Sequence, residues 1–100
     1  MKKPATAQAL IDAANALLGS GYLMNEDRSG ALAFIDQLRV VTDGFAKGLA
    51  SDPPDLGLAD KLCDMAEMAD LLYPWVRQAS AFEQAAKRFR KELRRLKQCH

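Results

Sequence analysis

The sequence predicts an all-α protein, a compact bundle of about four helices that forms a single domain over residues 1–100. Apolar residues recur at steps of three and four through most of the chain, which is helical spacing, and no segment alternates as a strand does. Segments containing Gly and Pro separate these periodic stretches. Hydrophobic residues make up 49% of the chain and charged residues 27%, which is typical of a globular domain.

The first two helices are predicted over about residues 6 to 18 and residues 29 to 49. Thr6 is favoured as an N-cap, and Gly19 can adopt the left-handed conformation that often ends a helix. Near the end of the second helix lie Gly44 and Gly48, each of which weakens a helix by up to about 1 kcal/mol relative to Ala. They indicate fraying or a close crossing by another helix.

The third helix is predicted to follow the boundary at residues 51–55, with Asp52 as its cap and Pro53 in its first turn. One face carries a heptad-like apolar seam, and another face carries a row of acids. The seam contains Leu58, Leu62, Met65, Ala69, Leu72 and Val76. The acidic stripe contains Asp60, Asp64, Glu67 and Asp70.

A break is predicted near Pro74, because proline removes a backbone donor and collides with the preceding turn. Beyond it, a long basic C-terminal helix is predicted, with seven Lys or Arg residues between Lys87 and Lys97. Its apolar seam alternates steps of four and three without exception. That seam contains Trp75, Ala79, Phe82, Ala86, Phe89, Leu93 and Leu96.

Charge is divided unevenly along the chain. Residues 4–76 carry a net charge of −7 and residues 77–100 a net charge of +6, although the whole chain is near neutral at +1. Three interpretations of the basic run remain open at this point. Its charges are solvated, or they lie beside the acidic stripe within the fold or across a homodimer, or they bind an acidic patch on a partner protein.

Nucleic-acid binding is an alternative, because clustered Lys and Arg neutralise phosphates. The sequence shows no recognisable helix-turn-helix, zinc finger or RNA-recognition motif to accompany the basic run. An acidic body would also repel a long polyanion. Direct reading of bases is therefore not expected.

No enzyme and no cofactor or metal site is predicted. The only histidine is His100, at the end of the chain, where no scaffold fixes its geometry for acid–base work. A glycine-rich phosphate loop is missing from the sequence as well.

A cytoplasmic protein is expected. Gln8, Asp12 and Asn15 interrupt any signal-peptide core, and the uncharged stretch over residues 13–25 is too short to span a membrane. Two cysteines do not make a disulfide framework.

The predicted function is binding to a surface of another protein, as an inhibitor, adaptor or regulatory subunit. The chain is small, is predicted to consist almost entirely of helices and lacks catalytic chemistry. In these respects it resembles the small proteins with which phages and mobile elements block host machinery, anti-CRISPR proteins among them. This resemblance of type covers no specific residues. A nucleic-acid-associated regulator and a self-assembling helical module are the alternative functions.

The predicted partner-binding residues lie on the basic helix and at its entry, where the break is expected to push aromatic side chains outward. They are Tyr73, Trp75, Lys87, Arg88, Lys91, Arg94 and Arg95.

Overall fold

The computed structural model describes residues 4–20 and 29–98. Within these ranges the chain forms helices and no strand, which confirms the all-α prediction. The helices are α1 (Ala7–Leu18), α2 (Ser29–Ala50), α3 (Ala59–Leu72) and α4 (Arg77–Gln98). The periodicity placed both ends of α1 and α2 within one residue.

The four helices form a closed ring around one core. Helix α1 packs on α2 and α4, and α3 also packs on α2 and α4, so that α2 and α4 lie diagonally across the bundle. Large aromatic side chains fill the centre. Phe45 of α2 and Phe89 of α4 meet edge to face across this diagonal, with ring centroids 5.6 Å apart and an interplanar angle of 70°.

The connection between α2 and α3 differs from the prediction. Helix α3 begins at Ala59, with Leu58 at the N-cap and no side-chain cap, so the cap predicted at Asp52 is wrong. Residues 51–58 instead fold back onto the last turn of α2, where the Asp55 N–H donates to the Gly48 carbonyl oxygen at 2.8 Å. A Cβ atom on Gly48 would lie 2.6 Å from the Asp55 carbonyl oxygen. The glycine therefore admits the connecting segment and not another helix.

The ends of α1 also correct the sequence-based expectation. Gly19 ends the helix with a φ of −87°, which is right-handed. Thr6 stands at the N-cap but makes no capping bond with its own side chain. Glu92 of α4 supplies the acceptor: its carboxylate accepts hydrogen bonds from the Thr6 hydroxyl at 2.5 Å, the Thr6 N–H at 2.9 Å and the Ala5 N–H at 2.6 Å. A residue 86 positions away thus caps α1.

Replacing Glu92 with Gln is expected to lower the free energy of unfolding by about 1 kcal/mol at neutral pH, the usual value of a helix cap. Hydrogen bonds from the Thr6 side chain, and then from the backbone of Thr6 and Ala5, lower the pKa of Glu92. A carboxyl whose pKa is lowered by folding stabilises the protein above its unfolded pKa, which is about 4.3 for Glu. That contribution is lost as the pH falls through the folded value.

Urea unfolding of wild type and the Glu92→Gln variant at several pH values measures this contribution. The difference between the two proteins should be constant above about pH 5 and shrink below about pH 4. The exposed Asp36→Asn variant serves as the control and should match wild type. A difference that does not change with pH would contradict the assignment of the cap to the Glu92 carboxylate.

The break at Pro74 is confirmed. Helix α3 ends at Leu72, and α4 begins at Arg77. The register of the α4 seam needs one correction: Val76 is buried, whereas Trp75 is 61% exposed. The buried seam continues through Ala79, Phe82, Ala86, Phe89 and Leu93.

Candidate functional site

Helix α4 presents a basic surface to solvent because its apolar residues are confined to one side. Phe82, Phe89 and Leu93 face the core, and the opposite side carries cations in each of the last turns. We define this basic face by Lys87, Arg88, Lys91, Arg94 and Arg95, all of which are exposed. Every cation among the predicted partner-binding residues therefore lies on one accessible surface.

Two cations of α4 are neutralised within the fold. The Arg90 guanidinium bridges the carboxylates of Asp64 and Glu67 on α3. The Lys87 amine lies 3.0 Å from the Glu83 carboxylate, one turn earlier on the same helix. The acidic stripe of α3 therefore meets α4 mainly through Arg90.

The remaining cations of the basic face have no such partner. Over residues 4–20 and 29–98, the structure shows no ion pair for Arg88, Lys91, Arg94 or Arg95. Of the three interpretations of the basic run, pairing inside the fold thus applies to Arg90, while these four charges face outward.

The basic face forms a ridge between two open grooves. On the α3 side, a groove of about 530 Å³ is lined by Glu67, Gln84, Lys87, Arg88, Arg90, Lys91 and Arg94. On the α1 side, a groove of about 470 Å³ is lined by Thr6, Arg88, Lys91, Glu92, Arg95 and Leu96. Small-molecule sites are usually enclosed and mostly apolar. A charged ridge with open flanks is better suited to the surface of a macromolecule.

The aromatic residues at the entry to α4 divide between the core and the surface. Tyr73 is only 9% exposed, so the expectation that the break pushes it outward is wrong. Its ring packs between Phe34, at a centroid distance of 6.3 Å, and Trp75, at 5.9 Å. Trp75 itself is exposed, as expected, and Tyr73 supports it from beneath.

The predicted partner-binding residues do not form one continuous site. At a rise of 1.5 Å per residue, Lys87 and Arg95 lie about 15 Å and 27 Å beyond the first residue of α4. Trp75 precedes that residue, so it is remote from most of the basic face.

The last turns of α3, just before Trp75 in the sequence, carry exposed apolar residues that were not predicted to bind a partner. Leu72 was predicted in the buried seam of this helix, and its exposure shows that this assignment is wrong. Met68, Leu71 and Leu72 near the end of α3 are 50%, 77% and 48% exposed. The pair Leu71-Leu72 gave no clear signal in the sequence, because consecutive residues of the same helix, Leu62 and Cys63, are both fully buried. We call Met68, Leu71, Leu72 and Trp75 the apolar end.

Neither nucleophilic nor metal chemistry is evident in the described part of the chain. Cys63 is buried, its thiol donates to the Ala86 carbonyl oxygen at 3.9 Å, and burial raises its pKa to about 11. The thiol therefore stays protonated and unreactive at neutral pH. Across residues 4–20 and 29–98, no three His, Cys, Asp or Glu side chains are grouped so as to hold a metal ion. Cys99 and His100 lie outside the described residues.

None of the helices in the described ranges has the length and apolar character needed to cross a membrane.

Comparison of the chain with protein-family models, with curated proteins and with solved structures gives no match.

Proposed function

We propose that this protein is a non-catalytic cytoplasmic inhibitor, adaptor or regulatory subunit that binds an acidic surface of another protein through the basic face of α4. The observation that carries the proposal is the row formed by Arg88, Lys91, Arg94 and Arg95. These four exposed cations have no ion pair among the described residues. This concentration of charge on one helix is more than a domain of 100 residues needs to stay in solution, since mixed surface charges of both signs serve that purpose.

The row extends over two turns of α4. Arg88 and Arg95 are seven residues apart, which is about two helical turns and 10.5 Å. Arg88, Lys91 and Arg95 follow one another at steps of three and four, so they project along one line. Three of the four cations are arginines, whose planar guanidinium groups bind carboxylates through two parallel hydrogen bonds. An acidic helix or strand edge on the partner would meet this line directly.

The charges would act mainly on recognition. Opposite surface potentials accelerate association and fix the orientation of the partners, whereas exposed ion pairs contribute only about 0–1 kcal/mol each. Leu96, which is half-buried and lines the α1-side groove, offers apolar contact beside Arg95. Affinity would come from the cations that become desolvated around this contact.

A capture experiment tests the proposal. The variant carrying Arg88→Gln, Lys91→Gln, Arg94→Gln and Arg95→Gln should fold like wild type, because all four side chains are exposed, but should no longer retain the partner from a nuclease-treated lysate. A control variant removes four other exposed cations, at Arg39, Lys47, Lys61 and Arg77. This control loses the same net charge and should retain the partner. Equal capture by both variants would refute the proposal.

Nucleic-acid association is the alternative, supported by the recurrence of cations in successive turns of α4. The acidic stripe of α3 counts against it, because a duplex about 20 Å wide centred on the row would overlap these carboxylates. Nucleic-acid association predicts that the protein changes the electrophoretic mobility of duplex or single-stranded DNA or RNA at low salt. It also predicts a binding constant that falls steeply as the salt concentration rises. A binding constant that does not change with salt, or an unchanged mobility of the nucleic acid at low salt, would exclude this alternative.

Among protein-binding roles, we place inhibition of an enzyme first. The support is the resemblance of type to small phage and mobile-element inhibitors, together with the lack of reactive groups in the described residues. Once a partner is captured, its activity should be assayed with increasing amounts of wild type. The variant lacking the four cations should leave that activity unchanged.

A further inference from the structure

Two stripes of opposite charge run side by side on the outer face of the α3–α4 pair. On α3, Asp60, Asp64 and Glu67 are exposed and recur at steps of four and three, so they lie on one line. The α4 stripe is the basic face. The α3-side groove has Glu67 on one wall and Lys87, Lys91 and Arg94 on the other. Both stripes are therefore accessible from the same side of the molecule.

Contacts between the two helices fix how the stripes are aligned. The Ser80 hydroxyl donates to the Asp70 carboxylate at 2.9 Å, and the Cys63 thiol reaches the Ala86 carbonyl oxygen. Farther along, Asp60 lines a pocket with Arg94 and Lys97. The helices are thus antiparallel, and the acids of α3 lie at the same levels along the pair as the cations of α4.

The same alignment extends to the uncharged parts of both helices. Seven residues beyond Asp64, the α3 line ends in Leu71, which is 77% exposed. At that level α4 presents Ser80, Ala81 and Gln84, which are exposed and uncharged. The acidic residues of α3 therefore lie beside the basic residues of α4, and the apolar residue Leu71 lies beside the uncharged turn of α4.

We infer that this face binds a second copy of the chain, with α3 of each copy lying over α4 of the other. A two-fold axis parallel to the helices places the acidic stripe of one copy opposite the basic stripe of the other. The rotation leaves the position of every residue along the axis unchanged. Asp60 of one copy then meets Arg94 of the other, and Asp64 and Glu67 meet Lys87 and Lys91. Leu71 meets the uncharged turn around Ala81, and the contact is isologous and closed.

The size of the face makes this a weak dimer. Two helices side by side are about 20 Å wide, and the 14 residues of α3 and 22 of α4 give lengths of about 21 and 33 Å. Covering the face on both copies removes roughly 1,000 Å² from water, the lower end for a specific interface. Because exposed ion pairs add little, Leu71 supplies the apolar anchor. Standard interfaces of about 1,600 Å² range from micromolar to picomolar affinity, so for this smaller one we expect a dissociation constant on the order of 10–100 µM at low salt.

A dimer of this kind would also affect the binding of the partner protein. The second copy covers the same basic face that the partner protein would use. Self-association and partner binding then compete for the monomer. Binding of the partner would shift the equilibrium from the dimer toward the monomer.

Sedimentation equilibrium of the full chain in about 50 mM and 500 mM NaCl tests the dimer, since exposed charges are screened at the higher salt. We expect a monomer–dimer equilibrium at low salt and at least about tenfold weaker association at high salt. The single variants Asp60→Lys and Arg94→Glu should each be monomeric. An equimolar mixture of these two variants should recover a heterodimer, because the reversed charges meet across one half of the interface.

Circular dichroism confirms that each variant is folded before it is sedimented. A wild-type chain that is monomeric at about 200 µM and low salt would overturn the inference, since that concentration exceeds the expected dissociation constant. Association that persists in both single variants would also overturn it. Asp60→Lys leaves the basic face intact and should still capture the partner protein, so failure of the dimer is distinguishable from failure of the proposed function.

Discussion

Replacing Phe89 with Ala is expected to lower the free energy of unfolding by about 3–5 kcal/mol, the cost of deleting a fully buried aromatic ring. Phe89 has no exposed surface, and its ring meets Phe45 edge to face. It also joins α4 to α2 across the diagonal of the bundle, where the surrounding helices can close the cavity only by moving inward, which their existing close packing resists. A domain of this size is stabilised by only about 5–15 kcal/mol, so this single substitution should remove a large part of the total stability.

Urea unfolding followed by circular dichroism measures this loss. Trp75→Ala is the control, because it deletes a larger side chain that is 61% exposed. It should cost less than about 1 kcal/mol, as surface substitutions usually do. A cost for Trp75→Ala equal to that for Phe89→Ala would contradict the seam register, in which Val76 is the residue that faces the core.

The second large effect is expected at Gly48. A Cβ atom there would lie 2.6 Å from the Asp55 carbonyl oxygen, a backbone atom that cannot rotate away. The same segment is held by the hydrogen bond from the Asp55 N–H to the Gly48 carbonyl oxygen. Overpacking of this kind costs about 1–3 kcal/mol, and alanine's better helix propensity returns up to about 1 kcal/mol. Gly48→Ala should therefore destabilise the protein by about 1–2 kcal/mol.

Two other glycines of α2 serve as matched controls for this substitution. At Gly44 the obstructing atom is the Leu58 Cδ1 at 2.7 Å, the end of a flexible side chain that can change rotamer. At Gly30 nothing lies within 4 Å. We expect Gly44→Ala to be close to neutral and Gly30→Ala to be neutral or slightly stabilising in thermal unfolding. Equal destabilisation at all three positions would show that the fold-back of residues 51–58 is not what requires Gly48.

The helices could be predicted because their determinants are local. Apolar spacing placed α1 and α2 within one residue, and the chemistry of Pro74 placed the break between α3 and α4. Local rules failed where a distant residue replaced the expected one. Thr6 looks like a cap in the sequence, yet the acceptor at this helix end is Glu92, which tertiary packing brings to it. No spacing rule connects two residues so far apart.

Part of the candidate site could be predicted, again because helical spacing is a local property of the sequence. A helical pattern shows that the cations of α4 lie away from the core, and the structure confirms that the basic face is exposed. The same spacing rule places Trp75 in the apolar seam, because Trp75 and Ala79 are four residues apart and would share a face if the helix began before Trp75. The helix in fact begins at Arg77, so Trp75 falls outside its register and Val76 takes the buried position. The sequence also could not show that Arg90 is the cation neutralised by α3, since this depends on how α3 and α4 are aligned.

The most direct test of the central claim is the affinity of the purified protein for its captured partner, measured by calorimetry at fixed ionic strength. Neutralising Arg88, Lys91, Arg94 and Arg95 is expected to weaken binding by at least about 100-fold, or about 2.7 kcal/mol. The control without the charges of Arg39, Lys47, Lys61 and Arg77 should bind within about threefold of wild type, less than 1 kcal/mol. Equal affinities for the two variants would show that the basic face of α4 is only a solvated surface.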